Sequence, residues 1–288
     1  MNILSLFDGM SCGQIAINKI GIKPTAYYAA EIDKHAIQVT QANYPNTIQL
    51  GDVTKWRDWD INWSSIDLVT GGFPCQAWSM AGKQLGDKDE RGMLFWVMLD
   101  IMSHAKKSNP KIKFLIENVK MKKEFEEYIT FHTEQALGEV NKVPINSALV
   151  SAQNRNRFYW CNWHVEQPED KGIVLADILG LGHVDRDKSH CLDASYYKGG
   201  NLKSYFEKNR RQLVFLNEIK DSYRKLTPIE CERLQTVPDN YTNHVSNTQR
   251  YKMLGNGWTV DAIAHIYSQM ELPIQVFVRQ LDMFGDAA

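Results

Sequence analysis

Gly71-Gly72-Phe73-Pro74-Cys75-Gln76 follows Ile66-Asp67-Leu68-Val69-Thr70. The run before the glycines is short, apolar and β-rich, the pattern of a buried parallel strand. Two glycines then turn the chain at the strand's C-terminal end, where open α/β sheets bind ligands. Pro74 fixes φ beside Cys75 and removes one backbone donor. A cysteine on so stiff a turn is a candidate nucleophile. The bland alternative is a packed residue, since free cysteine is among the most buried types.

Upstream, Ile3 to Phe7 reads as a strand, Asp8 to Gly13 as a glycine turn, and Gln14 to Ile20 as a helix with Gly21 at its C-cap. This is the first half of a nucleotide-binding βα unit. It has neither GxGxxG nor a Walker lysine, which disfavours NAD and ATP. Thr25 to Ala30 is a second strand ending in Glu31, placed as an acid for a ribose diol is placed. Asp33 caps a helix from Lys34 to Asn43. Ile48 to Leu50 is a third strand, after which Asp52 is placed to accept from an adenine amino group. Singly, Glu31 and Asp52 read as caps or solvated charges. At the ends of successive strands they point to an adenosine site.

Downstream, Ala77 to Gly92 is long, polar and glycine-rich, the composition of a lid over substrate. Met93 to Ala105 is an amphipathic helix, and Lys113 to Ile116 a strand ending in Glu117-Asn118-Val119. A carboxylate at the end of a core strand is costly without a partner or a task. Lys123 to Leu137 reads as a helix. Val143 to Val150 and Arg157 to Trp160 read as strands flanking Gln153-Asn154-Arg155-Asn156-Arg157. Arg155 and Arg157, two residues apart, share a strand face and suit an anion or a base edge. Between His183 and Lys225, ten lysines and arginines face six acidic residues, with Tyr196, Tyr197, Tyr205 and Phe206 interleaved. Basic residues mixed with aromatics in a loop-rich insert make a nucleic-acid surface, or a solvated face. Thr227-Pro228-Ile229-Glu230 opens a helix with a capping box. Leu254 to Val260 reads as a glycine turn leading into a helix from Val260 to Met270.

The composition is that of a soluble globular chain: 288 residues, 43% hydrophobic, 23% charged, net charge −1. Any nucleic-acid face is therefore local. The five cysteines form no CxxC pair, which argues against a zinc site and a disulfide framework. The first residues lack a basic n-region and no window of about 20 apolar residues occurs. We expect an intracellular, cytoplasmic protein with free thiols and no membrane span.

The ordered set Phe7-Asp8-Gly9, Glu31, Asp52, Pro74-Cys75-Gln76, Glu117-Asn118-Val119, Gln153/Arg155/Arg157 and Gly255-Asn256 resembles the C5-cytosine DNA methyltransferase family. The resemblance covers nearly the whole chain outside Asn162 to Tyr223. It implies a doubly wound, Rossmann-like α/β sheet that binds S-adenosylmethionine, with a second, smaller target-recognition domain. Residues 1–160 plus 251–288 would form the catalytic domain and 161–250 the small one. Phe7, Asp8, Gly9, Gly13, Glu31, Asp52, Asn256 and Trp258 would contact the cofactor, with Ile32, Val53, Pro74 and Leu94 as further walls. Cys75 would be the nucleophile, Glu117 the partner of cytosine N3, and Arg155 and Arg157 active-site arginines. Gln76, Ser79, Gln153, Tyr196, Tyr197, Lys198, Gly199 and Arg233 would contact DNA.

The family often has a small residue after the last Gly-Asn, where this chain has Gly257-Trp258-Thr259-Val260. That departure resembles the catalytic domains of eukaryotic de novo enzymes. The Cys-Phe-Thr signature of the transfer-RNA branch does not occur, which favours duplex DNA as substrate. The resemblance further implies a bacterial or phage-type monomer or weak oligomer, S-adenosylhomocysteine as product, no metal, and a partner restriction endonuclease where the enzyme belongs to a restriction system. A catalytically silent DNA-binding regulator and an RNA cytosine methyltransferase are the alternatives.

Overall fold

The computed structural model describes residues 1–74 and 92–271. Cys75, Gln76 and Ser79, and the lid expected from Ala77 onward, lie outside the described residues as far as residue 91. Five strands open the chain's first half: β1 (Asn2–Leu6), β2 (Ala26–Ala30), β3 (Ile48–Gln49), β4 (Leu68–Gly71) and β5 (Lys113–Val119). They pair in parallel, in the order β3-β2-β1-β4-β5. Two antiparallel strands, β6 (Asn141–Asn146) and β7 (Asn156–Cys161), complete a seven-stranded sheet, with β7 beside β5.

The chain winds outward from β1 through β2 and β3, then returns to place β4 on the other side of β1. The carboxyl ends of β1 and β4 therefore flank the switch point at which such sheets bind ligands. Helices α1 (Cys12–Lys19), α2 (Lys34–Asn43), α3 (Met93–Ser108) and α4 (Lys123–Leu137) connect the strands.

Side-chain alternation sorts the sheet's two faces. Ile3, Leu68, Leu115, Tyr159 and Cys161 belong to one buried cluster, with Ala16 and Ile17 of α1 and Ile263 and Ile266 of α8 (Val260–Ser268). Leu4, Leu6, Val69, Phe114, Ile116 and Trp160 belong to the other, under Phe95, Met98 and Met102 of α3 and Ile129 of α4. Each of the larger aliphatic side chains contributes about 1.5–3 kcal/mol on burial. The central parallel strands are apolar on both faces, as strands covered from both sides must be.

The segment expected to be a single strand from Val143 to Val150 divides. Asn146 ends β6, and its side chain accepts from Ala148 N, starting a 3-10 turn over Ser147–Leu149.

Beyond β7 lie α5 (Leu202–Lys208), a two-stranded antiparallel sheet of β8 (Leu213–Phe215) and β9 (Tyr223–Lys225), α6 (Pro228–Leu234) and α7 (Asn247–Asn256). Tyr205, Leu213 and Phe215 form a small core of their own. Leu192, Tyr196, Leu226 and Leu234 instead join the first sheet cluster. The α6 capping box is formed as read: Thr227 Oγ accepts from Glu230 N, and Thr227 N donates to Glu230 Oε2.

The glycine turn expected at Leu254 is corrected. Leu254, Gly255 and Asn256 continue α7, and only Gly257 to Thr259 separate it from α8. Gly255 is glycine because of close approach. A Cβ there would stand 2.3 Å from the carbonyl carbon of Asp193 and 2.4 Å from Ala194 N.

Candidate active site

A cavity of about 300 Å³ opens at the switch point. One wall is the turn after β1. Phe7 and Ser11 take the left-handed conformation (φ 55° and 61°), and so does Gly9 (φ 60°). Non-glycine residues uncommonly do so. Gly9 N donates to Glu31 Oε2 (2.8 Å), while Ile32 N (2.7 Å) and Asp33 N (2.8 Å) donate to Oε1. Three backbone donors thus hold the Glu31 carboxylate at the end of β2, facing the cavity. Asp33 caps α2 through His35 N as expected, and also pairs with Lys252 Nζ at 2.9 Å.

Asp8 lies behind this turn, accepting from Ser11 Oγ and from Tyr27 OH (2.9 Å). Burial pushes its carboxyl from 3.8 up to about 6, against the lowering effect of those hydroxyls. A raised folded-state value favours folding fully below the unfolded value, and that contribution is lost as pH rises through about 6. Asp8→Asn should therefore gain thermal stability relative to the unaltered protein, the gain growing from about pH 4 and levelling off above about pH 6. Parallel melting curves across that range read the gain, and a pH-independent difference would refute it.

The second wall is Gly72-Phe73-Pro74 after β4, directly before Cys75. Asn118 Nδ2 donates to Phe73 O (3.1 Å), tying the approach to Cys75 onto β5. Glu117, 9% exposed, stands on the same strand end. Arg157 Nε lies 2.9 Å from its Oε1, and Trp258 Nε1 donates to Oε2 at 2.9 Å. The β5–β7 register explains the ion pair. Glu117 is opposite Tyr159, so Arg157 is its diagonal neighbour on the same face.

Arg155 and Arg157 both line the cavity but are held differently. Arg155 precedes β7 and is 2% exposed. Its Nη1 donates to Leu192 O (3.0 Å) and to Cys191 Sγ (3.4 Å), its Nη2 to Gly255 O (3.2 Å) and Gly257 O (2.8 Å). Burial and the neighbouring Arg157 push its guanidinium below the ordinary arginine range.

The third wall comes from α7: Gln249, Lys252, Met253 and Asn256, continued by Gly257 and Trp258. The sequence reading found only Asn256 and Trp258. The missed residues sit three and four positions apart on one helical face leading to Asn256, a spacing that could have flagged them.

The cavity wall thus gathers Phe7, Asp8, Gly9, Glu31, Pro74, Glu117, Arg155, Arg157, Asn256 and Trp258 from six segments of chain. Gly13, Ile32, Asp52, Val53 and Leu94 do not line it. Asp52 instead caps the turn Val53–Asp58, accepting from Thr54 N (2.8 Å). Val53 and Leu94 pack in the second sheet cluster, and Ile32 is 75% exposed. Gly13 packs beside Tyr27, Trp258 and Tyr267.

Two expected DNA contacts are corrected by burial. Gln153 is fully buried, donating to Leu234 O (2.8 Å) and Gln235 Oε1 (2.9 Å). Tyr196 is 1% exposed, donating to Gln212 O and accepting from Leu226 N (2.9 Å). Their polar groups satisfy interior backbone that water cannot reach. Tyr197, with Lys198 over its ring, and Arg233 remain at the surface, and Arg233 is paired with Asp239. Gly199 ends the turn Tyr196–Lys198 with φ 71°.

Among the described residues, no helix is long and apolar enough to cross a membrane, and no cluster of three or more histidine, cysteine, aspartate or glutamate residues could hold a metal ion.

The model of the family described as C-5 cytosine-specific DNA methylase matches residues 1–169 and 182–272. The Type II methyltransferase M1.ScrFI of Lactococcus lactis subsp. cremoris is 30% identical, over 93% of this chain and 77% of its own length. M.HpaII of Haemophilus parainfluenzae is 29% identical, over 90% and 86%. Among solved structures, the Entamoeba histolytica methyltransferase EhMeth superposes with TM-score 0.67 at 14% identity, covering 93% of this chain and 97% of its own. A Spodoptera frugiperda DNMT2 variant gives 0.62 at 18% identity, covering 93% and 98%. The two superpositions establish the shared fold, and the family match establishes kinship: the chain belongs to the C-5 cytosine-specific DNA methylase family.

Proposed function

We propose that the protein methylates C5 of cytosine in duplex DNA, with S-adenosylmethionine as donor, through a covalent adduct between Cys75 and C6 of a base turned out of the helix. The observation that carries this reading is Glu117, held by Arg157 and Trp258 at a strand end beside the turn that enters Cys75.

The cavity residues fit the donor. The Glu31 carboxylate, braced by three backbone N–H groups, retains acceptor capacity for a ribose diol, and Phe7 offers a ring face to adenine. Gln249, Lys252 and Asn256 close the opposite side. When bound, the donor supplies a methyl group on a sulfonium centre.

Cytosine C5 is too weak a nucleophile unaided. Addition of the Cys75 thiolate at C6 makes C5 enamine-like. Negative charge then develops toward N3 and O2. Protonated Glu117 donates to N3, and Arg157 stabilises charge at O2. Arg155, just ahead of the strand that carries Arg157, ties that strand's start to Leu192, Gly255 and Gly257. After methylation a base removes the C5 proton and Cys75 leaves by elimination.

Turning out the base costs a few kcal/mol. The lobe within 161–250, with its basic insert, would offset this through phosphate contacts, while 1–160 plus 251–288 performs the chemistry. The same proposal places the protein inside the cell, as a monomer or weak oligomer, alone or beside a restriction endonuclease.

Incubation with labelled S-adenosylmethionine and mixed-sequence duplex DNA tests the reading. Label should enter the DNA and vanish with Cys75→Ser, and bisulfite sequencing should then spell out the site. Cofactor binding with label in RNA alone, or in no nucleic acid, would refute it.

A further inference from the structure

Trp258 stands where the cofactor side of the cavity meets Glu117. Its indole occupies a slot cleared by glycines. A Cβ on Gly13 would lie 3.5 Å from Trp258 Cζ3. A Cβ on Gly72 would lie 3.1 Å from Trp258 Nε1 and 2.9 Å from Glu117 Oε2. Gly257, which sets the approach of the side chain, is confined too: a Cβ there would meet Met10 Cε at 3.0 Å and Met253 O at 3.1 Å. What the slot secures is one hydrogen bond, from the indole N–H to Glu117 Oε2, across 141 positions of sequence.

We infer that Trp258 is a positioning residue for Glu117, holding its carboxyl plane so that its proton can be delivered only into the cavity. Indole and guanidinium are donors without an acceptor site. Trp258 at Oε2 and Arg157 at Oε1 can therefore hold the carboxyl group but cannot take a proton from it. A proton carried by Glu117 is directed to an acceptor brought in from outside, which cytosine N3 supplies. Without the indole N–H, Oε2 loses its donor among the described residues, and the terminal carboxyl torsion, intrinsically broad, is released. This inference rests on the reading of Glu117 as the partner of N3, and it assigns Trp258 a task beyond lining the cofactor pocket.

Trp258→Phe keeps an aromatic ring and removes the donor. Steady-state methyl transfer to duplex DNA should show kcat reduced by roughly ten- to hundred-fold, the range for loss of a partner to a buried charged group. Benzothienylalanine at position 258 preserves the indole's shape without its N–H, and should give the same loss of kcat even if the phenylalanine variant melts early. With benzothienylalanine, the KM for S-adenosylmethionine and the calorimetric affinity for S-adenosylhomocysteine should stay within about threefold. An unchanged kcat in either variant would overturn the inference, as would a loss confined to cofactor affinity. Both outcomes require an active parent. A parent that binds cofactor and methylates no duplex fails the DNA reading itself, and the inference falls with it.

Discussion

Glu117→Gln should slow methyl transfer by about 10²–10⁴-fold, the span of a lost general acid. The amide can still accept from Arg157 or Trp258 through its one carbonyl oxygen, so the local packing survives. It cannot deliver a proton to cytosine N3. Its NH₂ group would also face a donor-only partner, whichever way it turned. Some destabilisation follows, on the order of 1–3 kcal/mol, because Arg157 loses a charged partner in a half-dry site. The two effects separate experimentally. Single-turnover transfer measured well below the variant's melting temperature reports the chemistry, and calorimetry with S-adenosylhomocysteine reports an intact cofactor side. Transfer within a factor of a few of the parent would remove Glu117 from the mechanism. The Cys75→Ser control then shows whether the nucleophile still matters.

Arg155→Met should be the most damaging single change to stability at the site, at about 3–5 kcal/mol. Methionine follows the aliphatic course of the side chain but leaves the carbonyls of Leu192, Gly255 and Gly257 without the guanidinium that now satisfies them. Those carbonyls belong to segments already forced together, since α7 lies against the Asp193 backbone with room only for glycine at 255. For a chain of this size the cost corresponds to a fall in melting temperature on the order of 10 °C. Arg157→Met offers the contrast. Arg157 pairs with Glu117 in the cavity wall and is less deeply buried than Arg155, so its variant should lose less stability and more of the transfer rate. Equal melting temperatures for Arg155→Met and the parent would show that the tie carries no energy.

The contrast between these arginines marks where local reading stops. Both sit in one short motif, and the i, i+2 spacing predicted a shared strand face. Only Arg157 lies on β7; Arg155 falls ahead of it and turns to partners 36 to 102 positions away. Tyr196 and Gln153 fail in the same way. Their residue types suit a DNA surface, yet backbone groups of the insert and of α6 draw them inside. The open positions of α7 that wall the cavity carried a helical spacing, but nothing local says which way that face points. Trp258 was legible as a departure from the family pattern, and its attachment to Glu117 was not.

What the sequence by itself determined is everything written in short-range code. The central strands are continuous apolar runs because both sheet faces are covered. The helix from Lys123 to Leu137 carries the 3.6-residue period and stops at Gly138, which takes φ 77°. Asp33 and Thr227 cap helices through neighbours two and three residues on. The ordered motifs, read together, named the family. Tertiary structure alone decided which motif side chains face the cavity, which brace it from behind, and which are consumed by the core. Those outcomes depend on the direction of side chains at strand ends and loops, where no periodicity constrains them. They depend equally on the need of each buried polar group for a partner, which the fold supplies from segments distant in sequence, from 16 positions for Tyr196 to 141 for Glu117.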